Sequence, residues 1–237
     1  MDNLTVDVNP IPGLAHLPWA EVWFHAVDDD AWREASRRAR SIGKTGLEVW
    51  TTDATPEVVS FFAARGYEEV RRYVLSELDV ERAPEPDPPG FALVTLADRP
   101  DHARAIYDLA RESYCDQPGR AGTDIGSFDD WRVWGLDPHE PEAFFIALED
   151  GAVLGYGFLE LDGDVAKNGF MGVARSARGR GVAGAIKRAQ IAWAKAHGIR
   201  RLQTANEERL VGMLALNSRH GYRRYATEII LRGPLAP

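Results

Sequence analysis

An internal repeat limits what this chain can fold into more strongly than any other feature of its sequence. A glycine, a leucine and a Gly-Tyr pair in the first half recur 155 positions later, as from Gly43 to Gly198. No gap is needed between the matched pairs, which are Gly43 and Gly198, Leu47 and Leu202, Gly66 and Gly221, Tyr67 and Tyr222, Arg33 and Arg188, and Ala39 and Ala194. Each copy has the pattern of a helix end, a glycine, a strand, a helix, a Gly-Tyr pair and a strand. Such ungapped self-similarity indicates the duplication of one supersecondary unit.

A proline-rich stretch lies between the two copies. Residues 81–90, ERAPEPDPPG, contain four prolines, which fix φ and remove backbone donors. Such a segment is typical of an extended, solvated linker. We therefore predict an N-terminal part of residues 1–80, a linker of residues 81–90 and a longer C-terminal part of residues 91–237.

Apolar periodicity and glycine stops predict both helices and strands in the C-terminal part. Ser127 is placed to cap one helix, and Asp150-Gly151 is typical of a tight hairpin turn. Predicted strands cover residues 91–96, 143–148, 153–161, 169–173, 201–204 and 227–231. Predicted helices cover residues 98–114, 128–135, 182–197 and 210–220. The mixed order of these elements predicts an α+β (mixed α/β) fold.

Charge and cysteine content argue against several classes of protein. The formal net charge is −8, whereas a general nucleic-acid binder needs a basic face to neutralise phosphates. Cys115 is the single cysteine, so no intramolecular disulfide can form and a reducing compartment is favoured. The N-terminus lacks the pattern of a signal peptide, and no apolar run approaches the roughly 20 residues of a membrane span. We expect a cytoplasmic protein with no membrane contact and, since its six histidines lack ligand spacing, no metal site.

The segment GVARSARGRGVA, residues 172–183, has the features of a phosphate-binding loop. It follows a predicted strand and opens a predicted helix, where the first N–H groups have no partner within the helix and the helix dipole is positive. Glycines let an anion approach the backbone, and Arg178 and Arg180 present guanidinium forks suited to phosphate oxygens. These features predict a pyrophosphate site, the alternative being a Gly/Arg-rich surface turn. The Gly-Lys-Ser/Thr ending of a Walker loop is absent, and the loop comes too late in the chain for a dinucleotide fingerprint.

The same segment resembles the acetyl-CoA pyrophosphate loop of the GNAT N-acetyltransferase superfamily, whose pattern is Gln/Arg-x-x-Gly-x-Gly/Ala. Arg178, Gly181 and Ala183 stand at the three defined positions. The likeness covers about residues 91–232 and is greatest to the tandem-domain branch that includes mycothiol-synthase-like proteins. It implies the GNAT acyl-CoA N-acyltransferase fold, a central mixed sheet flanked by helices. It also implies acetyl-CoA contacts at Met171, Gly172, Val173, Arg178, Gly179, Arg180, Gly181, Val182, Ala183, Asn206 and Asn217.

The resemblance gives the repeat a meaning as well. Residues 33–78 look like the back half of a second acetyltransferase domain, but they lack the Arg-x-x-Gly-x-Gly loop. We therefore predict that residues 1–80 are a degenerate, structural GNAT-like half-domain and that residues 91–237 are the GNAT acetyltransferase domain.

The resemblance also implies a mechanism, in which an amine attacks the thioester directly and a backbone N–H near Gly172 or Val173 polarises the carbonyl. Candidates for the general base are carboxylates at the end of the preceding strand, namely Glu160, Asp162 and Asp164. Asn168 is a candidate for placing a water molecule. Many members of the family carry an acidic tyrosine in the last helix, where this chain has Asn217, which cannot serve as an acid.

Two classes of function follow from these residues. The first is an N-acetyltransferase for a primary amine, either of a small molecule or of a protein. The second is an acyl-CoA-binding sensor or scaffold that has lost turnover, which the missing tyrosine favours. Trp131 and Trp134, three positions apart on a predicted helix, belong either to the core or to an aromatic-lined amine pocket. We expect a small-molecule amine as the partner and a monomer or homodimer.

Overall fold

The computed structural model describes residues 6–7, 12–83 and 90–237. Its strands are β1 (Val6–Asp7), β2 (Trp19–Trp23), β3 (Gly46–Thr52), β4 (Glu68–Asp79), β5 (Ala92–Thr95), β6 (Phe144–Glu149), β7 (Ala152–Asp162), β8 (Val165–Val173), β9 (Arg201–Glu207) and β10 (Arg223–Pro234). Its α-helices are α1 (Pro12–Ala15), α2 (Asp29–Ser41), α3 (Pro56–Ala63), α4 (Ala103–Cys115), α5 (Phe128–Gly135), α6 (Val182–Ala196) and α7 (Val211–Arg219).

The predicted mixed α/β class is confirmed, with several strands longer than expected. β8 begins at Val165 and β10 covers Arg223–Pro234. The predicted cap of α5 is present, because the Ser127 side chain accepts a hydrogen bond from the backbone N–H of Asp130. Most of the predicted linker, residues 84–89, lies outside the described residues.

The chain divides into two compact units, and the first takes residues from both ends of the chain. It includes the described residues up to Leu75, together with Asn206–Glu208 and Tyr225–Pro237. Its strands lie in the order β1-β2-β3-β10-β4. β2 is parallel to β3, and β10 is antiparallel to β3. Helices α2 and α3 supply the other core side chains, including Trp32, Ala35, Ala39, Val58 and Phe62.

The second unit contains Ser76–Ala205 and Arg209–Arg224. Its strands lie in the order β9-β8-β7-β6-β5, with antiparallel pairing from β5 to β8 and parallel pairing between β8 and β9. The Asp150-Gly151 turn between β6 and β7 has positive φ at both residues, 50° and 80°, as a type I′ turn requires. Helix α6 contributes Val182, Ile186, Ile191 and Ala194 to the core of this unit.

The repeat found in the sequence corresponds to a repeat of elements. An offset of 155 carries β3, residues 46–52, onto β9, residues 201–207, and carries β4, residues 68–79, onto β10, residues 223–234. The same offset carries the last residue of α2, Ser41, onto the last residue of α6, Ala196. Both copies therefore have the predicted succession of helix, strand, helix and strand.

Candidate functional site

The start of helix α6 is open to an anion. Gly181 caps the helix in the left-handed conformation, with φ of 89°, and its cap carries no side-chain hydrogen bond. Gly179 also has positive φ, 75°, which a residue with a Cβ adopts only at a cost. The first turn of α6 holds no acidic residue. Since the first N–H groups of a helix have no partner within it and the dipole is positive there, this end suits a phosphate.

The matching helix of the first copy begins in the opposite way. Asp28 caps α2, and its side chain accepts a hydrogen bond of 2.7 Å from the N–H of Ala31. Asp29 and Asp30 follow in the first turn. A carboxylate already occupies this helix start, and its acidic neighbours repel a second anion.

Three arginines of the loop are held by carboxylates. Arg175 and Arg178 both bind Asp116 at the end of α4, and Arg180 lies 2.5 Å from Glu149. Their hydrogen bonds to the Asp116 carboxylate let Arg175 and Arg178 lower its pKa to about 2. The side chains of Arg178 and Arg180 remain 44% and 43% exposed. Exposed ion pairs contribute little to stability, so phosphate oxygens can replace these carboxylates at small cost.

Strands β8 and β9 separate next to this loop. Their pairing runs from Val165↔Arg201 to Lys167↔Gln203 and stops there, although both strands continue. In the first copy, β2 stays paired with β3 over its whole length, to Trp23↔Trp50. The second copy thus has an opening between parallel strands where the first copy has none.

The backbone of β8 is irregular beside this opening. Its pairing with β7 shifts between Gly157↔Met171 and Leu159↔Asn168, which leaves one extra residue in β8. A side chain at Gly172 would place its Cβ 2.6 Å from Ser113 Oγ, so helix α4 lies directly against the main chain there. Bulges re-aim backbone groups beside active sites, and the predicted carbonyl-polarising N–H groups lie in this stretch.

A cavity of about 270 Å³, here called the inner cavity, lies in the second unit. Helices α4 and α5 and strands β7 and β8 supply its walls. Its lining residues are Tyr114, Trp131, Trp134, Gly135, His139, Tyr156, Phe158, Glu160 and Phe170. Trp131 is only 1% exposed, so this residue belongs to both the core and the cavity wall.

The rings of the inner cavity contact one another. Tyr114 stacks on Phe170 with centroids 4.4 Å apart and meets Trp134 edge-on at 5.5 Å. His139 stacks on Phe158 at 3.8 Å. Burial lowers the pKa of His139, so its imidazole is neutral at pH 7.

A second cavity of about 360 Å³, the outer cavity, shares His139 and Glu160 with the inner one. Glu140 and Glu142 also line it, beside Trp193. The outer cavity is therefore acidic, and Glu160 lines both cavities. Of the other two base candidates, Asp164 binds Arg200 at 2.8 Å and Asp162 is an exposed residue at the end of β7.

A buried polar network lies behind β8. Asn168 accepts a hydrogen bond of 2.6 Å from the Tyr222 hydroxyl and donates one of 3.0 Å to Gln190. Gln190 in turn donates to the carbonyl of Phe158 at 3.1 Å. The side chain of Asn168 is thus engaged on both sides, which leaves little capacity to place a water molecule.

Lys187 belongs to the same region and is only 2% exposed. Its Nζ lies 4.8 Å from the centroid of the Tyr222 ring. Burial lowers the pKa of Lys187 to about 7, because a charged ammonium loses its hydration in the interior.

Some predicted site residues are together in the structure and others are apart. Residues 178–183 form the end of the loop and the start of α6. Four residues separate them from Met171, Gly172 and Val173 at the end of β8. Asn217 is buried in α7. Asn206 lies near the end of β9 and belongs to the first unit.

Sequence reasoning missed Tyr114, His139, Phe158 and Phe170 as cavity residues. They come from four separate segments, and the local signal was limited to the alternation of Tyr156, Phe158 and Glu160 along β7. It also missed Lys187, whose signal was a lysine placed among the buried positions of α6.

In the part of the chain that the structure describes, no three His, Cys, Asp or Glu side chains gather as a metal site would require. Among residues 6–7, 12–83 and 90–237, no helix combines the length and apolar character needed to cross a membrane.

Comparisons with known proteins agree on one family. The model of the acetyltransferase (GNAT) family matches residues 103–222, just over half of the chain. No curated protein matches the chain.

Solved structures with the same fold include three described as GNAT proteins. A GCN5-related N-acetyltransferase from Sphaerobacter thermophilus is similar with a TM-score of 0.77 and 18% identity, over 99% of this chain and 76% of that one. A tandem GNAT protein from the clavulanic acid biosynthesis pathway has a TM-score of 0.67 and 22% identity, over 94% and 77%. A GCN5-related N-acetyltransferase from Kribbella flavida has a TM-score of 0.60 and 16% identity, over 92% and 82%.

Proposed function

The chain belongs to the GNAT family of acetyltransferases, and we propose that it moves an acetyl group from acetyl-CoA to the primary amine of a small molecule. The observation that carries this proposal is the uncapped start of α6, with its glycines and arginines, beside the opening between β8 and β9. The helix start suits the pyrophosphate, and an opening between strands suits the extended pantetheine arm.

The residues that would hold acetyl-CoA are those of the loop and the adjoining strand. The N–H groups from Gly179 to Ala183 and the guanidinium groups of Arg178 and Arg180 would bind the phosphates. When bound, acetyl-CoA supplies an acetyl group activated as a thioester. A backbone N–H at Gly172 or Val173 would donate to the carbonyl oxygen as negative charge develops there.

Glu160 is our candidate for the general base. It is opposite Lys167 in the β7–β8 pairing, three positions along β7 from Gly157, the partner of Met171. At about 3.3 Å per strand residue, this places it roughly 10 Å along the strand. We therefore propose that Glu160 receives the ammonium proton through water in the inner cavity. Asn168 supports β8, and Asn217 can hydrogen-bond but cannot protonate the leaving thiolate.

We further propose that the first copy is a degenerate half-domain of a tandem GNAT protein, of the branch that includes mycothiol-synthase-like proteins. β2 is paired with β3 along the whole length of β2, and Asp28 caps α2, so neither an opening nor a free helix start remains there. Both features support this proposal. The free thiol of Cys115 supports a reducing compartment such as the cytoplasm.

A second candidate function is an acyl-CoA sensor or scaffold without turnover. The observation that favours it is Asn217, which stands where the resemblance places an acidic tyrosine. Both candidates need the cofactor loop, and only the first needs an amine.

Calorimetric titration of acetyl-CoA into the full chain tests the cofactor site first. We expect micromolar binding that Arg178→Ala/Arg180→Ala weakens by at least about tenfold, because each lost phosphate contact with a charged group is worth about 1.5–3 kcal/mol. Arg33→Ala/Arg37→Ala, a change at two exposed arginines of α2, is the matched control and should bind as the native chain does.

Thiol release with a panel of amines then separates the two candidates. An acetyltransferase releases coenzyme A in an amine-dependent way, and Glu160→Gln slows the release without changing acetyl-CoA affinity. A chain that binds acetyl-CoA but does not release thiol in the presence of any amine of the panel is a sensor or scaffold. If the native chain does not bind acetyl-CoA, both candidates fail.

A further inference from the structure

The inner cavity carries information about the acceptor that the cofactor loop does not. Its wall contains six aromatic rings in addition to His139, and a single carboxylate, that of Glu160. Resting on the function proposed above, we infer that the acceptor is a compact primary amine bearing one aromatic ring, and that this cavity receives the ring.

The rings are arranged to receive another ring. Tyr114 and Phe170 are stacked with their planes 14° apart, and Trp134 meets Tyr114 at 89°. Their arrangement follows the offset-stacked and edge-to-face preferences of aromatic pairs. A flat ring that enters the cavity extends this packing, whereas a puckered aliphatic ring of the same size gains only apolar contact.

The charges of the two cavities favour a cation. His139 is kept neutral by burial, so it does not oppose an ammonium group. Glu160 lines both cavities, and Glu140 and Glu142 line the outer one. Acidic walls raise the local concentration of a cation, and aromatic faces attract it further.

The volume of the inner cavity limits the size of the acceptor. About 270 Å³ lies just below the roughly 300–1,000 Å³ of pockets that hold drug-sized ligands. One six-membered aromatic ring with a short amine-bearing chain suits that space. A polycyclic amine or a protein side chain with its flanking backbone does not.

The chemistry of such an acceptor balances without a further reactant. The free amine nitrogen forms a bond to the thioester carbonyl carbon, and the carbon–sulfur bond breaks. The ammonium gives one proton through water to Glu160 before attack, and the nitrogen gives a second proton to solvent after the new bond has formed. Coenzyme A leaves as a thiolate that takes a proton from solvent. The products are coenzyme A and the N-acetylated form of the ring-bearing amine.

Direct binding tests the inference whether or not turnover occurs. We would titrate 2-phenylethylamine, 2-cyclohexylethylamine and 1,6-diaminohexane into the full chain, with and without coenzyme A. We expect the phenyl compound to bind at least about tenfold more tightly than the cyclohexyl compound, the two differing only in the ring. Equal binding, or tighter binding of the cyclohexyl compound or the diamine, would overturn the inference.

Variants locate the binding in the inner cavity. Trp134→Leu should reduce the preference for the phenyl compound to about threefold or less, while Trp134→Phe should retain most of it. Trp23→Leu removes an exposed tryptophan of the first unit and should leave the preference unchanged. Circular dichroism establishes that each variant is folded. A folded Trp134→Leu chain that keeps the full preference would place the ring elsewhere and refute the inference.

The same titrations keep this inference separate from the proposed function. Loss of the proposed function would appear as failure to bind acetyl-CoA or to release thiol. Failure of the inference would appear as binding, and transfer, that does not distinguish an aromatic ring from an aliphatic one.

Discussion

Lys187 holds an ionisable group at a position that otherwise suits an apolar residue. It is 2% exposed, on the helix face that also carries the buried residues Ile191 and Ala194, four and seven positions further along. The ring of Tyr222 favours its charged form, but a cation–π contact is worth only about 0.5–2 kcal/mol. Burial outweighs that contact and lowers the pKa of Lys187 to about 7. A neutral amine is therefore present inside the second unit at slightly alkaline pH.

The titration of Lys187 predicts a dependence of stability on pH. Between about pH 7 and the ordinary lysine pKa near 10.4, the unfolded chain binds a proton that the folded chain lacks. Stability therefore rises with pH over this window, by at most about 1.4 kcal/mol per pH unit. Urea unfolding at about pH 7.5 and about pH 9 should show this rise, and Lys187→Met should abolish the part due to Lys187.

Lys195 offers the matched control for that measurement. It lies on the exposed side of the same helix, and Lys195→Met should keep the pH slope of the native chain. A Lys187→Met chain whose stability changes with pH as the native chain does would refute a neutral Lys187.

Some residues of the site were predictable because their chemistry is local. Arg178 and Gly181 stand in a short loop whose glycines and arginines, between a predicted strand and a predicted helix, favour the proposed phosphate site. Lys187, Tyr114 and Phe170 act through neighbours that are distant along the chain, as in the stacking of Tyr114 on Phe170 over 56 positions. No local pattern encodes such a pairing, so Tyr114 and Phe170 joined the cavity only with the fold, whereas Trp131 and Trp134 were already candidates for an aromatic-lined pocket.

Among the elements, α2 and α6 are equivalent helices of the repeat whose N-termini are capped differently. Asp28 closes the start of α2 with its own carboxylate, while Gly181 leaves that of α6 open. The two helices end at equivalent positions, so the difference is confined to their first turns and the loops before them.

The cap of α2 should stabilise the first unit without affecting the cofactor site. Asp28→Ala removes the acceptor of the Ala31 N–H and should lower the free energy of unfolding by about 1 kcal/mol. Thermal or urea unfolding measures that loss, and calorimetry should give an unchanged dissociation constant for acetyl-CoA.

Asp30→Ala is the comparison for the Asp28 variant. The Asp30 side chain is 83% exposed and pairs with the exposed Arg33, so its removal should cost a few tenths of a kcal/mol. An equal cost for both variants, or a weakened cofactor site in Asp28→Ala, would contradict the role given to the cap.

Element existence was predictable where glycines and apolar periods mark it, as for α5, α6 and β7. The separation of β8 from β9 was expected only from the resemblance to the GNAT family, whose fourth strand splays from the fifth. The composition of residues 165–173 does not indicate it, because strand propensity depends on the neighbours of each strand. The early start of β8 was missed because Val165 and Ala166 follow a tight turn at Gly163 and form only a short apolar run.

At the scale of the whole molecule, the first unit needs the end of the chain. β10 pairs with β3 from Glu228↔Thr52 to Pro234↔Gly46, and it contributes Ile229 and Leu231 to the core of that unit. Residues on both sides of the predicted linker therefore belong to the first unit.

This arrangement predicts that residues 91–237 do not fold stably alone. Without β3, the fragment would expose Ile229 and Leu231, at a cost of about 1.5–3 kcal/mol each, together with an unpaired strand edge. We expect binding of a hydrophobic dye and no cooperative thermal transition. Co-expression with residues 1–83 should restore a cooperative transition. A fragment that melts cooperatively and keeps full activity would show the first copy to be dispensable.

The Asp28 cap has a consequence for the history of a duplicated chain. On the proposal that the first copy is a degenerate half-domain, an aspartate at its helix start would have displaced a phosphate for as long as that copy bound a ligand. After that use was lost, the same residue adds about 1 kcal/mol of stability through a single side chain. A capped helix start beside an uncapped equivalent is therefore what the loss of phosphate binding in one copy would leave behind.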